Sequence, residues 1–162
     1  MSGVVKFSEA SSIAMHTMAI LAADPDRHMT IREVAAVLPI SGNHLAKVLQ
    51  RLAHAGLVES VRGPGGGFAL RGDPEKITLL EVHEAIEGHF VVSPCLFSPD
   101  KCCGTCLLGD TPRQANALVH DRLSRTRLAD VAPLIAPRPA LVTLGDGAPE
   151  PPRATVRGRR RG

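Results

Sequence analysis

Apolar residues recur at helical spacing in five stretches of this chain. Ala14, Met18, Leu21 and Ala22 fall at i, i+4, i+7 and i+8, which predicts a helix from Ser8 to Ala23 ended by Asp24-Pro25-Asp26. Ile31, Val34, Ala35 and Leu38 line a short second helix, opened by a Thr30/Glu33 capping box and closed by Pro39. Leu45, Val48, Leu49 and Leu52 repeat the pattern in a third, with Ser41 as its cap and Gly56 as its stop. Two short helices so close together predict a helix-turn-helix. Leu57 to Val61 and Phe68 to Leu70 are β-prone runs around Arg62-Gly63-Pro64-Gly65-Gly66-Gly67, which predicts a hairpin with a glycine-rich tip.

Thr78 and Glu81 form a second capping box, opening a helix with Leu79, Val82, His83 and Ile86 on one face and Gly88 at its end. An irregular segment from Ser93 to Asp110 follows. Thr111-Pro112 then starts a helix to about Thr126, with Ala115, Leu118, Val119 and Leu123 apolar, and a last turn spans Leu128 to Ile135. From Ala136 proline and glycine dominate, and Arg157, Arg159, Arg160 and Arg161 close the chain, which predicts a disordered basic tail. The expected organisation is mainly α with a small β-hairpin wing: a winged helix-turn-helix over 1–76, a cysteine loop and dimerisation helices over 77–135, and the tail over 136–162.

The third helix carries a second stripe. His44, Lys47, Arg51 and His54 recur at i, i+3, i+7 and i+10, flanked by Asn43 and Gln50. A helix that buries its leucines turns these residues outward, where cations meet phosphate and amides bond base edges in the major groove. N-terminal residues of such a helix reach deepest, so Asn43, His44 and Lys47 are the candidates for bases and Arg51 for phosphate. Arg62 at the wing base is placed on the minor groove or backbone, and Gly65 and Gly66 at the tip permit close approach to the duplex. The glycine run lacks the Gly-Lys-Ser/Thr ending and following helix of a nucleotide-binding P-loop.

Composition narrows the partner. The 162 residues carry a net charge of +3, which permits a polyanion without requiring one. Four Phe and no Trp or Tyr argue against reading single strands by stacking. No apolar run nears the roughly 20 residues of a membrane span, and Met1 to Ala10 lacks a signal-peptide core, so a cytoplasmic protein is expected. In that compartment thiols stay reduced. Cys95, Cys102, Cys103 and Cys106 are clustered rather than spread as staples, which points to a metal, a cluster or a thiol switch. Thiolates suit iron–sulfur clusters, zinc or Cu(I). Zinc sites favour two Cys-x2-Cys pairs, and only Cys103-Gly104-Thr105-Cys106 has that form; the same pair could cycle as a disulfide. A Cys–His16 nucleophile pair lacks any base–orienter arrangement, so no enzyme is expected.

The run Leu45-Ala46-Lys47-Val48-Leu49-Gln50-Arg51-Leu52-Ala53-His54-Ala55-Gly56-Leu57-Val58, followed by Arg62-Gly63-Pro64-Gly65-Gly66-Gly67-Phe68, resembles the Rrf2 family of transcriptional regulators. Ile77 to Val82, Glu87-Gly88 and Leu128 to Val131 extend the resemblance over about residues 5 to 135. It implies a homodimer on double-stranded DNA, held by the helix after the cysteines, and a repressor switched by a cysteine-ligated iron–sulfur cluster, [2Fe-2S] or [4Fe-4S]. The implied ligands are Cys95, Cys106 and one of Cys102 or Cys103, since a vicinal pair on one iron is strained. A histidine that some relatives place after the last cysteine is replaced here by Gly109. Other relatives take an acid or a histidine from the first helix of the partner chain. The acid position matches Ser12, with Glu9 one turn earlier, and the histidine position matches His16, so His16 or the spare cysteine is the candidate fourth ligand. The alternative is a cluster-free regulator working by thiol exchange or by binding a partner protein.

Overall fold

The computed structural model describes residues 7–63, 65–92 and 107–135. Six helices and one hairpin follow in the order α1 (Glu9–Ala22), α2 (Ile31–Val37), α3 (Gly42–His54), β1 (Val58–Val61), β2 (Gly67–Leu70), α4 (Leu79–Glu87), α5 (Thr111–Arg125) and α6 (Leu128–Ile135).

The helix ends are set by local chemistry. Ser8 caps α1 by accepting from Ser11 N, Ser41 caps α3 by accepting from His44 N, and both expected capping boxes form, Thr30 with Glu33 and Thr78 with Glu81. The Thr30 backbone N–H, the Thr30 hydroxyl and Arg27 all donate to the Glu33 carboxylate and hold it below its usual range. At the other end of α3, Gly56 N donates to Ala53 O and Leu57 N to Leu52 O, each at 3.0 Å. That is a Schellman ending, and it needs the left-handed φ of 77° at Gly56.

One core joins these elements. Met18, Leu21, Val34, Leu45, Leu49, Leu52, Val58, Val82, Ile86 and Leu128 are all buried in it. Complete burial of a leucine is worth about 1.5–3 kcal/mol, so the third helix is anchored firmly by Leu45, Leu49 and Leu52. The expected single apolar face of α1 is too narrow: Ser11, Ile13, Thr17, Ala19 and Ile20 are buried as well. Helices from downstream close over its far side, with α4 and α6 both packed on it.

The packing of this core continues past residue 76. Ile77, Val82, Ile86, Leu128 and Ala132 belong to the same core as α1 and α3. Leu79 N donates to Thr126 O and Leu128 N to Ile77 O, both at 2.9 Å, so α6 is docked onto the start of α4. The expected face of α5 is split. Leu123 is buried, whereas Leu118 is 71% exposed.

Candidate nucleic-acid interface

The hairpin pairs antiparallel with Val58 opposite Leu70 and Val61 opposite Gly67. A third edge completes it. Met29, just before α2, exchanges both backbone hydrogen bonds with Phe68 at 2.8 Å. The wing is thereby tied to the helix-turn-helix. Arg62 and Gly65 are exposed at its tip, and Gly66 is tucked under it, where a Cβ would stand 2.3 Å from Val61 O.

Next to the wing, α3 exposes Asn43, Lys47 and Gln50. Its leucines are fully buried against α1, α2 and α4, which leaves this face outward. His44 is drawn aside: it is half-buried, with Nδ1 3.8 Å from Glu9 Oε1 at the start of α1. Beyond Lys47 an open groove of about 530 Å³ runs between α3 and α4, lined by Lys47, Gln50, Arg51, His54, Ala55 and Ala85. Arg51, the candidate for phosphate, is exposed along this groove and donates from its guanidinium to the carbonyl of Ile86 in α4. The physical reason is that α4 lies along that side of α3 and presents a helix-end acceptor there.

Cys95, Cys102, Cys103 and Cys106 lie outside the described residues, as does the basic tail. Among the described residues no cluster of three or more His, Cys, Asp or Glu could hold a metal. His16 is exposed on α1, and its Nδ1–H donates to Ser12 O at 2.7 Å. In a neutral ring that bond fixes the tautomer and places the lone pair on Nε2, as a ligating imidazole needs. The four thiolates together with such a nitrogen are a fitting donor set for an iron–sulfur cluster. Within one chain, however, His16 sits near Leu79 and α6, at the opposite end of α4 from the segment that enters the cysteines.

Sequence reasoning did not single out the polar centre between α1 and α4. Ser11 Oγ and His83 Nδ1 are hydrogen-bonded at 2.7 Å in the interior. Burial lowers the His83 pKa below 6.5, while Glu87 and Glu84 pull it the other way. The rings of Phe7 and Phe90 flank His83 at 5.5 Å, and Phe90 in turn meets His120 of α5 at 5.5 Å. The available signal was a histidine on an apolar helix face.

Residues 7–133 match the Rrf2 family, described as an iron-dependent transcriptional regulator. The chain is 30% identical over 147 residues to the HTH-type transcriptional repressor NsrR of Streptomyces coelicolor, covering 88% of this chain and 96% of that one. It is 42% identical over 78 residues to the HTH-type transcriptional regulator BadM of Rhodopseudomonas palustris, a match that spans 48% of this chain and 50% of BadM. Its structure is similar to that of CymR, the global cysteine regulator of Bacillus subtilis, with a TM-score of 0.68 and 25% identity over 80% of this chain and 98% of that one. No described helix is long and apolar enough to cross a membrane. A helix-turn-helix with a bound wing, an outward amide and cation face, and a family match over most of the chain lead to one conclusion: this protein belongs to the Rrf2 family of DNA-binding transcriptional regulators and is not an enzyme.

Proposed function

We propose that this regulator is a homodimeric, sequence-specific repressor whose operator affinity is set by an iron–sulfur cluster on Cys95, Cys106 and one of Cys102 or Cys103. The observation that carries the DNA half is the exposed row Asn43, Lys47 and Gln50 on α3, beside a wing that offers Arg62, Gly65 and Gly66. Asn43 and Lys47 read base edges from the N-terminal half of the helix, His44 adds an edge contact, and Arg62 and the wing glycines meet the flanking backbone. Dimerisation is supported by the apolar residues that α5 and its lead-in leave exposed, Leu107, Leu108 and Leu118. Two heads then meet two half-sites.

The iron-dependent character of the matched family and the soft donor set support the cluster. When bound, the cluster supplies a centre that oxidant or loss of iron can disrupt. His16 from the partner chain is the candidate fourth ligand, and the spare cysteine is the alternative within the chain.

Anaerobically purified full-length protein is expected to be coloured, with bound iron and sulfide, and to retard a specific duplex. Lys47→Ala is expected to weaken that binding by about 1–3 kcal/mol and relax base preference. Colourless, iron-free protein with an oxidisable Cys103–Cys106 pair would replace the cluster by a thiol switch. Lys47→Ala protein titrating like wild type would remove the interface.

A further inference from the structure

The α3–α4 groove holds a junction that neither the DNA face nor the cysteines explain. Helix α4 ends with Glu84 and Glu87 and no basic residue in its last turn, so its own side chains oppose the negative end of its dipole. The last carbonyls of a helix, Ile86 among them, have no intrahelical donor. Beyond the helix end, Phe90 N donates to Glu84 Oε1 at 2.9 Å, and His89 Nδ1 lies 2.9 Å from the same oxygen. Gly88, with φ of 81°, turns the chain out of the helix. The Ile86 carbonyl thus lacks an intrahelical partner, and the Arg51 guanidinium of α3 occupies it. A cation at a helix C-terminus, hydrogen-bonded to its last carbonyls, is the missing counterpart of the α4 acids. Arg51 is supplied from the helix that faces DNA, and the segment it steadies, 88–92, is the one that runs on toward Cys95.

We propose that Arg51 is a positioning residue rather than a phosphate contact: by capping the C-terminus of α4 it fixes α3 relative to the segment leading to the cysteines, and so sets how α3 meets the duplex. Glu84 is its counterpart, since its carboxylate holds the other side of the same turn through the Phe90 N–H. This rests on the DNA-binding reading above for its consequence, but the cap itself is testable without DNA.

The test uses full-length protein and the variants Arg51→Met, Arg51→Lys, Glu84→Leu, which removes the acceptor of the Phe90 N–H, and the Arg51→Met/Glu84→Leu double. In DNA-free protein followed by amide hydrogen exchange, Arg51→Met is expected to speed exchange at Gly88 and Phe90 about tenfold, because a charge-assisted bond at that helix end is lost. Arg51→Lys, which can still cap, is expected to restore most of the protection. In operator titrations Arg51→Met and Glu84→Leu are each expected to weaken binding several-fold, and the double variant to lose no more than the worse single one. Unchanged exchange at Gly88 and Phe90 in Arg51→Met would overturn the proposal. So would additive losses in the double variant, or a drop of about 0.9 in the salt slope on Arg51→Met with exchange unchanged, the mark of one lost phosphate contact. If wild-type protein retards no duplex, the DNA-binding reading fails, and the exchange result alone then decides the cap.

Discussion

The wing depends on a close approach at Gly67. An alanine Cβ there would stand 2.7 Å from Met29 O and 2.8 Å from its carbonyl carbon, both backbone atoms that cannot swing away. Relief requires parting residue 67 from Met29, which breaks the reciprocal pair Met29 N to Phe68 O and Phe68 N to Met29 O, both 2.8 Å. Two such bonds contribute about 1–3 kcal/mol together. Half-buried Phe68 also loses part of its packing on the core, so Gly67→Ala is expected to cost about 2–4 kcal/mol. Gly65→Ala is the control. It has left-handed φ of 79° but open space around the added methyl, so its cost is about 1 kcal/mol of backbone strain without displacement of Met29. Urea denaturation gives the two costs, and amide exchange locates them. Gly67→Ala should expose the Met29 and Phe68 amides, while Gly65→Ala leaves both protected. If the Met29 and Phe68 amides stay protected in Gly67→Ala, the third edge of the wing does not depend on this glycine and the argument fails.

His83 makes stability pH-dependent. Its pKa is lowered from 6.5 in the fold, chiefly by burial, so the unfolded chain binds more protons as pH falls below about 6.5, and stability is present above that pH and declines below it. His83→Gln, which can still bond Ser11, is expected to flatten urea midpoints measured between about pH 5 and 7; an unchanged slope would show that another group carries it. Cys95→Ala and Cys106→Ala are each expected to abolish the visible spectrum and bound iron while leaving a folded protein that binds the operator without responding to iron removal. Retention of the full spectrum in both would end the cluster proposal. Truncation after Ala136 should leave the thermal transition intact, because the described core closes with Ala132 and Ile135, and should weaken only nonspecific DNA binding; a lower transition would place part of the tail in the fold.

Elements whose cause is local were legible from residues alone. Both capping boxes, the Gly56 stop and the leucine stripe of α3 are short-range patterns, and each forms where its spacing places it. The winged helix-turn-helix follows from them, because a short turn and a glycine hairpin leave few ways to arrange their apolar faces. What the sequence could not disclose depends on contacts between distant segments. Periodicity shows that α1 has a buried face but not that α4 and α6 cover the other, so Ser11 and Thr17 read as polar while lying in the interior. It likewise marked His83 as one more position on an apolar stripe, whereas its hydrogen bond to a serine 72 residues away exists only after α1 and α4 pack.

The same limit governs the DNA face. A helical wheel turns Asn43, His44, Lys47 and Arg51 outward together, because it knows which side of α3 is apolar and nothing of what flanks that side. Tertiary packing separated them: Asn43 and Lys47 remain free to face the groove of a duplex, His44 leans to Glu9, and Arg51 is claimed by the carbonyl at the end of α4. Side-chain type and spacing, carried in the sequence, determined that this helix turns amide and cationic side chains outward. Which partners its charges meet was decided by segments 35 residues away in either direction, Glu9 for His44 and Ile86 for Arg51, since an exposed side chain takes whichever partner the fold puts within reach.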